Sequence, residues 1–137
     1  MVMNLDIAKK IIKAALKEAE KMNGLCSVAV VDEAGVLIAL YRMDRAPIPT
    51  ADIARNKAWT AATFKMPSSD IVKFGDPSSP SFGFNTQNWN DRLTTIAGGL
   101  PIKVGDNVVG GIGVSGGTPE EDVVVCQAAI DAISIMA

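Results

Sequence analysis

A chain of 137 residues suits one domain around one core, and with 48% apolar and 20% charged residues it has the material for that core and too little charge for a disordered chain. The formal net charge is −2, and the Lys and Arg residues lie mostly on the first predicted helix and are otherwise scattered, which argues against the concentrated cationic face that nucleic-acid binding requires. No uncharged apolar stretch approaches the ~20 residues of a membrane span. The opening Met1-Val2-Met3-Asn4-Leu5-Asp6 lacks the basic start and apolar run of a secretory signal, so a cytoplasmic protein with no membrane partner is expected.

The first element is an amphipathic helix over 4–23. Ala8, Ile11, Ile12, Ala15, Leu16, Ala19 and Met22 form one stripe, with Lys9, Lys10, Lys13, Lys17 and Lys21 outside it. Asn4 or Asp6 can cap its start, and Asn23-Gly24 supplies a positive-φ stop. The β-branched run 25–32 reads as a strand covered on both faces, Glu33-Ala34-Gly35 as a tight turn, and 36–43 as the return strand of a hairpin. A connection stiffened by Pro47 and Pro49 leads to a helix over 50–65, whose Ala51, Ala54, Ala58, Ala61 and Ala62 let another backbone approach closely. Pro67 ends it, and Ser68 or Ser69 starts a short helix reaching Gly75.

Residues 76–90 show no periodicity, and a loop of that length is functional, an interface, or mobile. Strands are predicted over 93–97, 100–104 and 108–115, separated by Gly98-Gly99 and by the turn Gly105-Asp106-Asn107. Thr118-Pro119-Glu120-Glu121 is a helix start, with Thr118 and Glu121 forming a capping box. The final helix is apolar nearly all round, through Val123, Val124, Val125, Ala128, Ala129, Ile130 and Ile133. This points to cover on more than one side, with a second subunit as one source. The order is thus α-β-β-α-α-β-β-β-α in one domain spanning 1–137. Cys26 and Cys126 have no metal-ligand spacing and read as buried thiols.

Four groups of residues resemble the HbpS/GlcG haem-binding family, which includes the C-terminal domain of PduO-type corrinoid adenosyltransferases. They are Val30-Val31-Asp32 with Gly35 and Met43-Asp44; Ile53-Ala54 with Lys57-Ala58 and Thr60-Ala61; Gly98-Gly99-Leu100-Pro101-Ile102; and Gly110 with Ile112-Gly113-Val114-Ser115-Gly116-Gly117 and Glu121-Asp122. Their order and spacing cover almost the whole chain. The resemblance implies an α+β fold, with a profilin-like five-stranded antiparallel sheet flanked by helices. It implies homo-oligomers, dimers or larger. It also implies haem or another tetrapyrrole as the small-molecule ligand, some members having been described as degrading haem. Haem ligation in the PduO-type domain is by histidine, and this chain contains none. Axial ligation would therefore fall to Met, Cys, Tyr or Lys, with Met1, Met3, Met43, Tyr41 and Lys57 conceivable.

The missing histidine also excludes Ser-His-Asp and Cys-His triads and ordinary histidine-based zinc sites, and no metal site is expected. A general base would be a shifted carboxylate, Lys or Tyr. Asp44 and Lys57 are the candidate catalytic residues; Lys57 sits among alanines and needs a partner if buried, which Asp44 can supply. Asp44 can equally cap a turn. Arg42 and Lys57 can pair with an acidic ligand such as a haem propionate, or join surface ion pairs. Phe74, Phe82, Phe84 and Trp89 can line a slot for a flat ligand, anchor the loop or form a subunit contact. Gly98, Gly99, Gly116 and Gly117 can form an anion cradle or serve tight turns and close packing. Three functions remain open: an oligomeric tetrapyrrole-binding protein, a small enzyme acting on a carbonyl or carboxylate metabolite, and a non-catalytic assembly protein.

Overall fold

The computed structural model describes residues 2–83 and 89–136, the last three by backbone alone. Met1, Phe84 and the 84–88 part of the predicted loop lie outside the described residues. Helix α1 (Leu5–Lys21) is followed by strands β1 (Ser27–Asp32) and β2 (Leu37–Arg42), then helix α2 (Thr50–Phe64) and a 3₁₀ segment (Ser68–Gly75). Strands β3 (Gly99–Val104) and β4 (Asn107–Ser115) then lead into helix α3 (Pro119–Met136). The sheet is antiparallel in the order β2-β1-β4-β3. Among the described residues, no helix is long and apolar enough to cross a membrane.

The local signals are satisfied as their chemistry requires. The Asn4 side chain accepts from Ile7 N at 2.9 Å and caps α1. The capping box of α3 closes both ways: Thr118 N donates to Glu121 Oε1 at 2.9 Å, and Glu121 N to Thr118 Oγ1 at 3.2 Å. In the β1–β2 turn, Asp32 Oδ1 accepts from Ala34 N and Val36 N, and Gly35 takes φ +80°.

Because side chains alternate across a strand, β1 feeds two cores. Val28 and Val30, with Ile112 and Val114 of β4, face α1 and α3 and join Ile11, Ile12, Ala15, Val125 and Ala129. Ala29 and Val31 face α2 and meet Ala54, Ala58 and Ala62. On that second face β4 presents Gly111 and Gly113. A Cβ at Gly111 would come within 2.5 Å of the Ala58 carbonyl, and one at Gly113 would overlap the Ala54 carbonyl. Helix α2 therefore rests on the sheet backbone to backbone. Helix α3 is covered by the sheet and by α1 alongside it, leaving Val124 half exposed.

Among the described residues the sheet has four strands rather than five. The predicted strand over 93–97 is an irregular segment, because side chains take the hydrogen bonds a neighbouring strand would have taken. Asn90 Oδ1 accepts from Arg92 N and Leu93 N, both at 2.7 Å. Thr60 of α2 donates to Arg92 O at 3.3 Å and accepts from Thr94 N at 3.1 Å, and Ser68 donates to Ile96 O at 2.7 Å.

Candidate functional site

The glycine-rich segments and Lys57 come together where α2 and α3 meet across the end of β4. Lys57 and Asp122 are both buried, at 2% and 3% exposure. The Lys57 ammonium donates to Asp122 Oδ2 at 3.1 Å and to Val114 O at 2.9 Å. Asp122 Oδ1 accepts from Gly117 N at 3.0 Å. Each charge is thus paired and further hydrogen-bonded, as a buried ion pair must be. Gly98 holds φ +124° beside this pair, where a Cβ would fall 2.7 Å from Lys57 Nζ. Gly99 packs on the Lys57 carbonyl and donates its N–H to Ser68 Oγ at 3.0 Å. Gly116, at φ +145°, packs on Leu25 O. A Cβ added at any of these four glycines would meet protein atoms, and the Gly117 N–H is taken by Asp122.

Two expectations change here. The partner of Lys57 is Asp122, not Asp44: Asp44 is exposed on the turn after β2, while Lys57 reaches from α2 to the first turn of α3. With its ammonium enclosed, Lys57 is also removed from the possible axial ligands. In the sequence Asp122 stands out only within the Glu121-Asp122 pair of the family resemblance; nothing in its local sequence marks it as the buried counter-ion.

The remaining candidates are dispersed. Arg42 is exposed and donates to Ala46 O at 3.4 Å. Trp89 packs against Trp59 and Phe64, with ring centroids 6.1 and 6.2 Å away, so it anchors the loop to α2. Phe82 stands 57% exposed. Met3 is buried, and the thioether of Met43 is occupied by Cys26, whose Sγ lies 3.7 Å away. Both cysteines are free and buried. Burial pushes the Cys26 thiol up to about 11, with the Asp122 carboxylate adding to the effect. Burial raises the Cys126 thiol further, and its Sγ donates to Gly98 O at 3.1 Å.

The outer face of α1 carries a different arrangement. Lys9, Lys10 and Lys13, with Asp6, line a cleft of about 380 Å³ whose other wall is Tyr41 of β2. Lys10 pairs with Asp6 at 3.3 Å, whereas Lys9 and Lys13 make no ion pair among the described residues. Tyr41 is 41% exposed. The spacing of the lysines along α1 was plain in the sequence; their meeting with Tyr41 required the hairpin to fold beside the helix.

Fold and site together define a small α+β domain with a sealed ionic centre and an open cationic cleft. The family described as "Haem degrading protein HbpS-like" matches residues 3–131, and the chain belongs to it. A 15.0 kDa protein from the dhaT–dhaS intergenic region of Citrobacter freundii is 34% identical over 130 residues, covering 95% of this chain and 91% of that protein. The crystal structure of Klebsiella pneumoniae protein ORFY is similar at a TM-score of 0.88 and 34% identity, covering 96% of this chain and 90% of that one. The crystal structure of a PduOC–haem complex is similar at a TM-score of 0.87 and 26% identity, covering 96% of this chain and 95% of that one.

Proposed function

We propose that this protein binds a flat anionic tetrapyrrole, haem foremost, in the cleft between α1 and β2. The carrying observation is the convergence of Lys9, Lys10, Lys13 and the exposed Tyr41 phenol on one opening of about 380 Å³. That volume falls in the range of small-ligand sites, roughly 300–1,000 Å³. The donor set fits the group: ammonium groups pair with propionates, and a tyrosine oxygen is a known axial ligand of haem iron. Of the conceivable ligands, Met3, Met43 and Lys57 face inward, which leaves Tyr41 as the described side chain able to reach a bound iron. Bound haem would supply redox and oxygen-binding chemistry. The chain's own residues would hold its carboxylates at the lysines and its iron at the phenol oxygen. Likeness to the PduOC–haem complex supports this reading. A second copy of the chain covering the open side of the cleft is part of the same proposal, supported by the family's expected homo-oligomers.

The enzyme reading built on Asp44 and Lys57 has no geometric support, since the two are not paired and Lys57 is sealed. A haemin titration followed in the Soret band tests the proposal. We expect saturable binding, loss of the ligand-to-iron spectral signature in Tyr41→Phe, and weakened, more salt-sensitive binding in Lys9→Ala/Lys13→Ala. A wild-type protein with no Soret change, or a Tyr41→Phe spectrum identical to wild type, overturns the respective half of the proposal.

A further inference from the structure

We propose that Tyr41 makes the cleft between α1 and β2 selective for trivalent metal tetrapyrroles, so that ferric haem is held and one-electron reduction releases it; this rests on the tetrapyrrole reading above. The observation that carries it is the donor set of the cleft. The lining side chains are Asp6, Lys9, Lys10, Lys13 and Tyr41, and each ends in an oxygen or an ammonium nitrogen. Among the described residues no sulfur stands on that lining, and the chain contains no histidine and one tyrosine. The softer donors are enclosed elsewhere: Cys26 and Cys126 are buried, and the Met43 thioether accepts from Cys26 N at 3.4 Å. An ammonium has no lone pair to give. Asp6 is in an ion pair with Lys10 at 3.3 Å. The phenol of Tyr41, 41% exposed, is left as the donor for an axial bond.

The chemistry of that donor separates the two oxidation states. A neutral ligand such as an imidazole or a thioether gains little from the extra charge of the ferric ion. A phenolate is an anion, and at a fixed distance its attraction to the metal grows with the metal's charge. It cancels the excess positive charge of a ferric porphyrin centre and finds none to cancel on a ferrous one. Lys9 and Lys13, which make no ion pair among the described residues, match the pair of haem propionates. Those carboxylates keep their charge in both states, so the lysines supply affinity and Tyr41 supplies the preference. On binding, the Tyr41 O–H bond breaks, an O–Fe bond forms and the proton leaves to solvent. On release, an external one-electron donor such as a reduced flavin gives one electron to Fe(III), which becomes Fe(II). The Fe–O bond breaks with its electron pair left on oxygen, and Tyr41 takes a proton back from solvent.

The test uses the full chain loaded with haemin under anaerobic conditions. Haem transfer to excess apomyoglobin is followed in the Soret band with and without dithionite. We expect dithionite to speed transfer at least tenfold. Gallium(III) protoporphyrin IX, whose trivalent metal dithionite does not reduce, should transfer at one rate in both conditions. At equilibrium, a tenfold preference for the ferric state places the midpoint potential of bound haem about 59 mV below that of free haem in the same buffer. Tyr41→Phe should abolish both the acceleration and the potential shift. Lys9→Ala/Lys13→Ala should speed transfer in both states and keep the ratio between them. Equal transfer from the wild type in both states overturns this proposal and leaves the tetrapyrrole reading standing. So does an unchanged ratio in Tyr41→Phe, or a lost ratio in Lys9→Ala/Lys13→Ala. A wild type that takes up no haemin overturns both.

Discussion

The two faces of the sheet are built from opposite materials. Toward α2, the sheet offers Ala29, Gly99, Gly111 and Gly113, and the helix answers with Ala54, Ala58 and Ala62, so backbones touch and there is no space to spare. Toward α1 and α3, it offers Val28, Val30, Ile112 and Val114 to an ordinary aliphatic core. The difference teaches where the protein's own atoms leave no room. The glycine-rich segments look like a cradle in sequence, yet the protein fills that space with Lys57, Asp122 and its own carbonyls. Lysines without an ion pair among the described residues lie instead on the outward side of α1, where Lys9 and Lys13 line a cleft with Tyr41 and the paired Lys10 and Asp6.

The contrast can be broken most directly at the ion pair. Lys57→Met leaves the Asp122 carboxylate buried and unpaired, and should cost about 3–5 kcal/mol in urea denaturation. The double variant Lys57→Met/Asp122→Leu should recover much of that loss, because removing both charges removes the desolvation cost. If Lys57→Met is as stable as wild type, the sealed centre is not sealed.

Two neighbouring residues on β4 sharpen the comparison by one methyl group each. Gly113→Ala adds a methyl against the Ala54 carbonyl and should cost about 1–3 kcal/mol or more. Ile112→Val removes a methyl on the aliphatic face and should cost about 0.5–1.5 kcal/mol. Equal costs would mean that the α2 face is no tighter than the other.

The smallest expected effect is on pH dependence. The Cys26 thiol is raised in the folded state from the ordinary 9.0 to about 11. The unfolded chain therefore loses this proton first, and binds fewer protons than the folded chain between those values. Stability contributed by the neutral buried thiol is complete below about pH 9 and declines as pH rises from 9 toward 11. Chemical denaturation at pH 8 and pH 10 should show this fall, reduced in Cys26→Ser; an equal fall in both proteins would assign it to other groups.

Much of the fold was legible because its signals are local. Asn4, Gly35, Thr118 and Glu121 act within four residues of themselves, and each does what its side chain or backbone freedom demands. The 3.6-residue stripe of α1 and the two-sided burial of β1 follow from periodicity alone. The strand expected over 93–97 failed for a reason of the same kind seen from the other side. Its residues carry strand propensity, but Thr60 and Ser68, more than twenty positions earlier, supply the hydrogen bonds that make a sheet partner unnecessary. Propensity reports what a segment prefers, whereas pairing depends on what arrives beside it.

The site divides along the same line. That Lys57 lies on an alanine-rich helix and needs a partner once buried is written in the residues around it. That the partner is Asp122, sixty-five positions away, is settled by how α2 and α3 close over the end of β4. Likewise the lysine spacing on α1 is a property of the sequence, while the wall that Tyr41 adds comes from the hairpin docking beside the helix. Helix and turn formation depend on interactions within a few residues, which the chain carries in its order. Ion pairing and cleft formation depend on distances in space, and packing of the whole domain sets those.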